Sequence, residues 1–380
     1  MEKQQPYCLM PWIHFHVGNG GKVNACCVAN IPFGNINEQN FEEIWSGDAI
    51  EKLRNKFIKG EKDNRCAACY KLEAAGGKSI RQETFEKFPE VDIQNQKLPI
   101  YFDIRFSNVC NFRCRTCWHG ASSKWFSDAK ELEKNIGEKA IIQNVDDFNL
   151  FISQSGKALL QAEEIYFAGG EPLVTEEHYL LLNWLIEHQA TGIRLRYNTN
   201  FSKLKFKHYD ALKLWENFSS IEILASIDGV GALGEYIRKE MNWEIIKENR
   251  KKLATLSSIK FKIAPTISVF NIRHLPKLYQ YCIDAKMIEP NDFYINILER
   301  PKHYNVKILP PEYKTQVGEE YLNFFAHHQI PPAVKLMFQE CLDYMNAEHF
   351  PKAWKQFQME TQLLDNLRDE NLSQIISLPK

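Results

Sequence analysis

Eight of the ten cysteines fall before residue 118 (Cys8, Cys26, Cys27, Cys66, Cys69, Cys110, Cys114 and Cys117), while Cys282 and Cys341 follow alone and far apart. Cysteines that only fill a core are scattered, so thiols clustered this way need a common purpose. Residues 1–5 carry no apolar run of signal-peptide type, so the cytoplasm is the expected compartment. In a reducing cytosol, metal or catalytic roles explain the thiols better than disulfides do. With 44% apolar and 25% charged residues the chain is composed like a folded protein, not a disordered one. Lys plus Arg total 47 against 48 for Asp plus Glu, a net charge of -1. That balance argues against nucleic acid as a partner and against polybasic membrane attachment. No run approaches the ~20 apolar residues of a membrane span.

A chain of 380 residues exceeds the ~250–300 at which single cores stop growing. Three domains are expected, over residues 1–90, 98–300 and 301–380. In the middle one, short β-branched or aromatic runs alternate with longer amphipathic ones. Predicted strands cover 100–107, 164–168, 193–198, 221–227, 260–266 and 293–298. Predicted helices between them cover 146–154, 176–188, 209–215, 243–256 and 275–285. This is an α/β pattern with a parallel sheet, and six strands suit a partial (β/α)6 TIM-like barrel better than a complete one. Residues 1–90 read as a small α+β metal-cluster domain. It has a hairpin (13–17 and 22–28) turning at Asn19-Gly20-Gly21, a helix over 41–58, then Cys66 and Cys69. Residues 301–380 read as a helical C-terminal extension interrupted at Pro310-Pro311 and Pro331-Pro332.

The run Cys110-Asn-Phe-Arg-Cys114-Arg-Thr-Cys117 follows the first barrel strand directly. Three thiols from one loop can wrap one metal centre while leaving a position open, whereas a closed structural site uses four ligands. An iron–sulfur cube held this way keeps one iron unligated. Packed cysteines, or a zinc loop completed by His119, remain alternatives on spacing alone. The second strand ends in Gly169-Gly170-Glu171-Pro172, where paired glycines let backbone groups approach a ligand and Glu171 offers a carboxylate to a cationic amine. The third ends Asn198-Thr199-Asn200 and the fourth Ser226-Ile227-Asp228-Gly229, so small polar side chains recur at strand ends.

A CxxxCxxC after an opening strand, with GGEP one βα unit later, resembles the radical S-adenosylmethionine (AdoMet) superfamily. The resemblance implies a [4Fe-4S] cluster on Cys110, Cys114 and Cys117, whose free iron chelates AdoMet. Its reduction would split AdoMet into methionine and a 5′-deoxyadenosyl radical that abstracts hydrogen from a substrate. Gly169, Gly170 and Glu171 would contact the AdoMet amino group. Asn200, Ser226 and Asp228 would be further contacts, and Arg238 a partner of the methionine carboxylate. The family often has an aromatic residue just before the third cysteine; here the position is Thr116, flanked by Phe112 and Trp118.

A second constellation joins Cys8, Gly21 with Cys26 five positions on, and Cys66-Ala-Ala-Cys69. Spacing alone leaves zinc and iron–sulfur open. The arrangement resembles the C-x-G-x4-C…CxxC portion of SPASM and twitch auxiliary domains, implying one fully ligated auxiliary [4Fe-4S] cluster for electron transfer. Those domains usually follow the barrel; this one precedes it. Cys27 is a spare that could replace Cys26; His14 and His16 read as satisfied histidines, Cys282 and Cys341 as packing. The implied partners are a small-molecule substrate (metabolite, sugar or nucleotide) and an electron donor such as flavodoxin or ferredoxin. A ribosomal-peptide maturase, or a non-catalytic zinc-stabilised interaction protein, is the alternative.

Overall fold

Strand β1 (His14–Val17) lies antiparallel to β2 (Lys22–Asn24), and β2 to β3 (Pro32–Asn35). On its other side β1 runs parallel to β4 (Tyr101–Ile104), which runs parallel to β5 (Glu164–Phe167). The N-terminal hairpin and the first barrel strand therefore share one sheet. The computed structural model describes residues 7–74 and 77–378; residues 1–5, read above for a targeting signal, lie outside them. By contacts the chain divides into two units. One takes residues 1–109, 141–196 and 213–221; the other takes 110–140, 197–212 and 222–380. This division differs from the expected 1–90, 98–300 and 301–380, because β1 and β4 are hydrogen-bonded neighbours.

The register in the first unit sorts side chains by face. His14 and His16 align with Tyr101 and Asp103, which align with Glu164 and Tyr166. The alternate positions Phe15, Phe102, Ile165 and Phe167 are 0% exposed and form the apolar layer. The polar face is paired within itself. His16 Nδ1 lies 2.9 Å from Asp103, and Arg105 lies 3.2 Å from the same carboxylate. Buried Glu164 binds Lys87 and, at 2.7 Å, Arg194. Burial alone would raise Asp103, but Arg105 and His16 reverse it and hold the carboxyl well below its usual range.

The helix expected over 41–58 is two helices, Phe41–Trp45 and Asp48–Ile58. Ser46 and Gly47 separate them, glycine being a poor helix interior and here the N-cap of the second. Asn40 starts the first with a capping box to Glu43. Helices Ala67–Ala74 and Ile80–Lys87 follow, the second capped by Ser79. The helix Glu176–Glu187 covers the sheet with Tyr179, Leu181, Leu182 and Leu185, all 0% exposed. His178 on this helix meets Phe167 edge-on at 4.8 Å, and burial pushes its imidazole down to about 3. An unfolded histidine titrates near ~6.5, so in the window between the two values the unfolded chain binds the extra proton. Stability should therefore fall as pH drops from ~6.5 toward ~4. Urea midpoints across this range should show that loss, and His178→Gln should flatten it.

In the second unit, β6 (Arg194–Thr199, which begins in the first unit) leads to β7 (Ile221–Ala225) and β8 (Ile259–Ile263). The expected strand over 260–266 breaks at Ala264-Pro265 and resumes as Thr266–Ile267, since proline cannot donate to a ladder. That piece pairs in parallel with Asn296–Ile297, all that remains of the strand expected over 293–298. The C-terminal segment is helical: Pro311–His327, Pro332–Asn346 and Pro351–Arg368. Proline opens each of the three, at the position where a missing N–H costs nothing. Among the described residues no helix is long and apolar enough to cross a membrane.

Candidate iron–sulfur and AdoMet sites

In the second unit, backbone bonds fix the loop of Cys110, Cys114 and Cys117 at several points. Arg113 N–H donates to the Lys239 carbonyl at 3.3 Å and Arg115 N–H to that of Ile237 at 2.7 Å. The Trp125 indole donates to the Cys114 carbonyl at 2.6 Å, and the Ser122 hydroxyl to that of Phe112 at 2.5 Å. Cys114 is buried, Cys110 and Cys117 half-buried. Arg238 Nη1 reaches to 3.8 Å of the Cys114 sulfur. The same guanidinium pairs with Asp228 at 2.8 Å, and Asp228 also accepts the Thr266 N–H at 2.7 Å. Burial raises the Cys114 thiol while Arg238 opposes the rise. Cys117 is pushed up to about 12 by burial and by Cys114 beside it.

Asn200 donates to the Asn111 side chain, inside the cysteine loop, at 2.9 Å, and its oxygen accepts from Ser202. Ser226 is half-buried at the end of β7, its N–H on the Thr199 carbonyl at 2.8 Å. Thr116 is half-buried and Trp118 is 54% exposed. The structure thus joins Cys114, Asp228 and Arg238 in one buried cluster, with Asn200 tied to the loop through Asn111. Arg238, expected to meet a methionine carboxylate, has two partners within the chain.

The Gly169-Gly170-Glu171 turn belongs to the first unit. Gly169 has φ +115°, and a Cβ on Gly170 would stand 2.1 Å from the Val109 carbonyl oxygen. The close approach is sealed by Gly170 N–H to Ser107 at 3.2 Å and Glu171 N–H to Val109 at 2.8 Å. Glu171 is 1% exposed, and its carboxylate caps the turn Pro172–Val174 by accepting the Leu173 N–H at 3.0 Å.

The first unit also gathers the second set of thiols. Cys8 precedes the short helix Met10–Ile13, Cys26 follows β2, Cys66 ends the turn Asn64–Cys66, and Cys69 lies on Ala67–Ala74. Gly21 has φ +77°, and a Cβ there would stand 2.4 Å from Asn35, so this position demands glycine. Burial raises Cys8, and neighbouring Cys26, Cys66 and Cys69 raise it further. Cys66 is pushed up to about 12 by burial, with Cys26 next in effect. Donors already face these sulfurs: Ala29 N–H lies 3.3 Å from Cys26, and backbone N–H groups reach Cys8 and Cys69. Arg81 staples the region, pairing with Glu73 at 2.5 Å and donating to the Tyr7 carbonyl at 2.7 Å. Cys27 is exposed, with Asp103 and Arg105 as its main electrostatic neighbours. Among the described residues no three His, Cys, Asp or Glu side chains stand at single-ion spacing. The donor chemistry does fit clusters, since N–H groups aimed at sulfur stabilise thiolates and tune iron–sulfur potentials. Cys282 and Cys341 are 0% and 1% exposed and pushed up to about 12 by burial. Both are packing residues.

Sequence reasoning missed the partners of the loop arginines. Arg115 binds Asp365 and Glu370, each at 2.5 Å, and Asp128 takes Arg113 at 2.7 Å and Arg368 at 2.6 Å. The alternation of arginine with cysteine was the available signal; the carboxylates lie up to 255 positions away.

Residues 8–70 match the SPASM family, an iron–sulfur cluster-binding domain. The matched segment contains β1, β2 and β3, which belong to the same sheet as β4. No curated protein matches. Among solved structures, the chain is similar to Streptococcus suis SuiB bound to S-adenosylmethionine, with 16% identity and TM-score 0.39 over 73% of this chain and 59% of that one. It is also similar to native anSMEcpe with bound AdoMet, with 17% identity and TM-score 0.42 over 66% of this chain and 63% of that one. The chain spans about three fifths of the length of each.

Proposed function

We propose that this chain is a radical AdoMet enzyme with one catalytic [4Fe-4S] cluster on Cys110, Cys114 and Cys117 and one auxiliary [4Fe-4S] cluster on Cys8, Cys26, Cys66 and Cys69. When bound, the catalytic cluster and AdoMet together supply a 5′-deoxyadenosyl radical that takes a hydrogen atom from the substrate. The chain's own residues hold and insulate. Trp125, Ser122 and the backbone partners of Arg113 and Arg115 keep the three-cysteine loop in one conformation. Arg238 lays positive charge against the Cys114 sulfur, lowering the cost of a buried thiolate. In the first unit Gly169 and Gly170 bring bare backbone to the end of β5 beside Glu171, and in the second unit Asn200 and Ser226 are further polar candidates for AdoMet.

The observation that carries the reading is the buried Cys114 sulfur against an Asp228-paired arginine, within a three-cysteine loop. The SPASM match at residues 8–70 supports the auxiliary cluster. Substrates belong to the small-metabolite, sugar, nucleotide or peptide classes, and a flavodoxin or ferredoxin serves as electron donor. To test this, the protein is reconstituted anaerobically with iron and sulfide, reduced, and given AdoMet. A brown protein that forms 5′-deoxyadenosine, read by mass spectrometry, is expected. A colourless protein that binds zinc and leaves AdoMet intact would overturn the reading in favour of a zinc-stabilised interaction protein.

A further inference from the structure

The C-terminal helix Pro351–Arg368 and the two residues after it meet the cysteine loop through charge. Arg115, between the second and third loop cysteines, is 0% exposed and lies 3.7 Å over the Tyr236 ring. Its guanidinium binds Asp365 and Glu370. Asp365 in turn accepts the Tyr236 hydroxyl at 2.8 Å and the Leu372 N–H at 2.8 Å. From the same helix Arg368 donates to the Arg113 carbonyl at 2.8 Å, pairs with Asp128, and covers the Trp125 ring at 5.1 Å. Trp125 is the residue whose indole holds the Cys114 carbonyl. Apolar packing follows the same path: Leu364 clusters with Trp125 and Ala129, and Cys117 packs against them. Every residue of the loop from Arg113 to Cys117 except Thr116 is thus touched by this segment or by a residue it holds.

The geometry points to Asp365 and Arg368 as positioning residues of the catalytic cluster, an assignment that rests on the function proposed above. Without the Asp365 carboxylate, buried Arg115 would keep Glu370 but lose half of its ion pairing beside the cluster. The loop would relax, and the field at the sulfurs would change. Outer-shell partners of metal ligands usually cost about 10–100-fold in affinity or activity when removed, and a loss of that size is expected here.

The test compares the parent with Asp365→Asn and Asp365→Glu, all anaerobically reconstituted. Iron and sulfide per chain are measured, together with the midpoint potential of the EPR signal that responds to AdoMet. Asp365→Asn should lose most of that signal or shift its potential even though its apo chain, with a lowered thermal midpoint, is still folded by circular dichroism, and Asp365→Glu should restore it. If Asp365→Asn does not fold, Glu370→Gln removes the second partner of Arg115 and is judged by the same two readouts. An unchanged signal and potential in a folded variant overturns the inference alone. A parent that takes up no iron overturns the function, and the inference with it.

Discussion

Replacing Cys114 by alanine is expected to abolish AdoMet cleavage. Cys114 is the buried member of the loop and the sulfur that Arg238 addresses. With two thiols left, the cube lacks a third anchor, and Arg238 faces a methyl group. Reconstituted parent protein should carry about eight irons and Cys114→Ala about four, the auxiliary cluster remaining. Formation of 5′-deoxyadenosine should fall to the no-enzyme level. Cys66→Ala should also lose about four irons, yet keep some AdoMet cleavage, because Cys66 belongs to the other set of thiols. Equal cleavage by Cys114→Ala and the parent would remove the mechanism.

Gly170→Ala is expected to be the most damaging change that leaves every cysteine in place. The new methyl would stand 2.1 Å from the Val109 oxygen and 2.6 Å from the Asn108 carbonyl carbon and oxygen. All are backbone atoms, so no side chain can rotate to make room. Overpacking usually costs about 1–3 kcal/mol, occasionally more, and a backbone clash of this depth belongs at the upper end. Moving the turn also breaks the Glu171 N–H bond to Val109 and shifts the buried carboxylate. A lower urea midpoint and weaker AdoMet binding by calorimetry should appear together. A variant matching the parent in both would mean that the turn is not closely packed.

How far such outcomes could be read beforehand differs between elements. Strands β4, β5, β6 and β7 were legible because their runs of β-branched and aromatic residues are bounded by glycine or polar turns. The cysteine loop stood out because three thiols fall within eight residues, whereas Cys8, Cys26, Cys66 and Cys69 come from three separate segments. What stayed hidden was whatever depends on partners distant in sequence. His14 and His16 offered no sign that Asp103 would stand opposite, since a register is set by packing rather than by spacing. Arg115 gave no hint of Asp365, 250 positions on. The prolines at 310–311 and 331–332 looked like breaks; they are the first turns of helices, a distinction that needs the partner helices to be in view.

The parallel ladder between β1 and β4 has a consequence for any attempt to study the later part of the chain alone. A fragment starting after residue 90 would keep β4 with β5 on one flank only. Its other flank would become a raw margin of unmatched amides and carbonyls, open to the nearest neighbouring molecule. The amino-terminal segment is thus also a selvedge, finishing a sheet that would otherwise fray into aggregates.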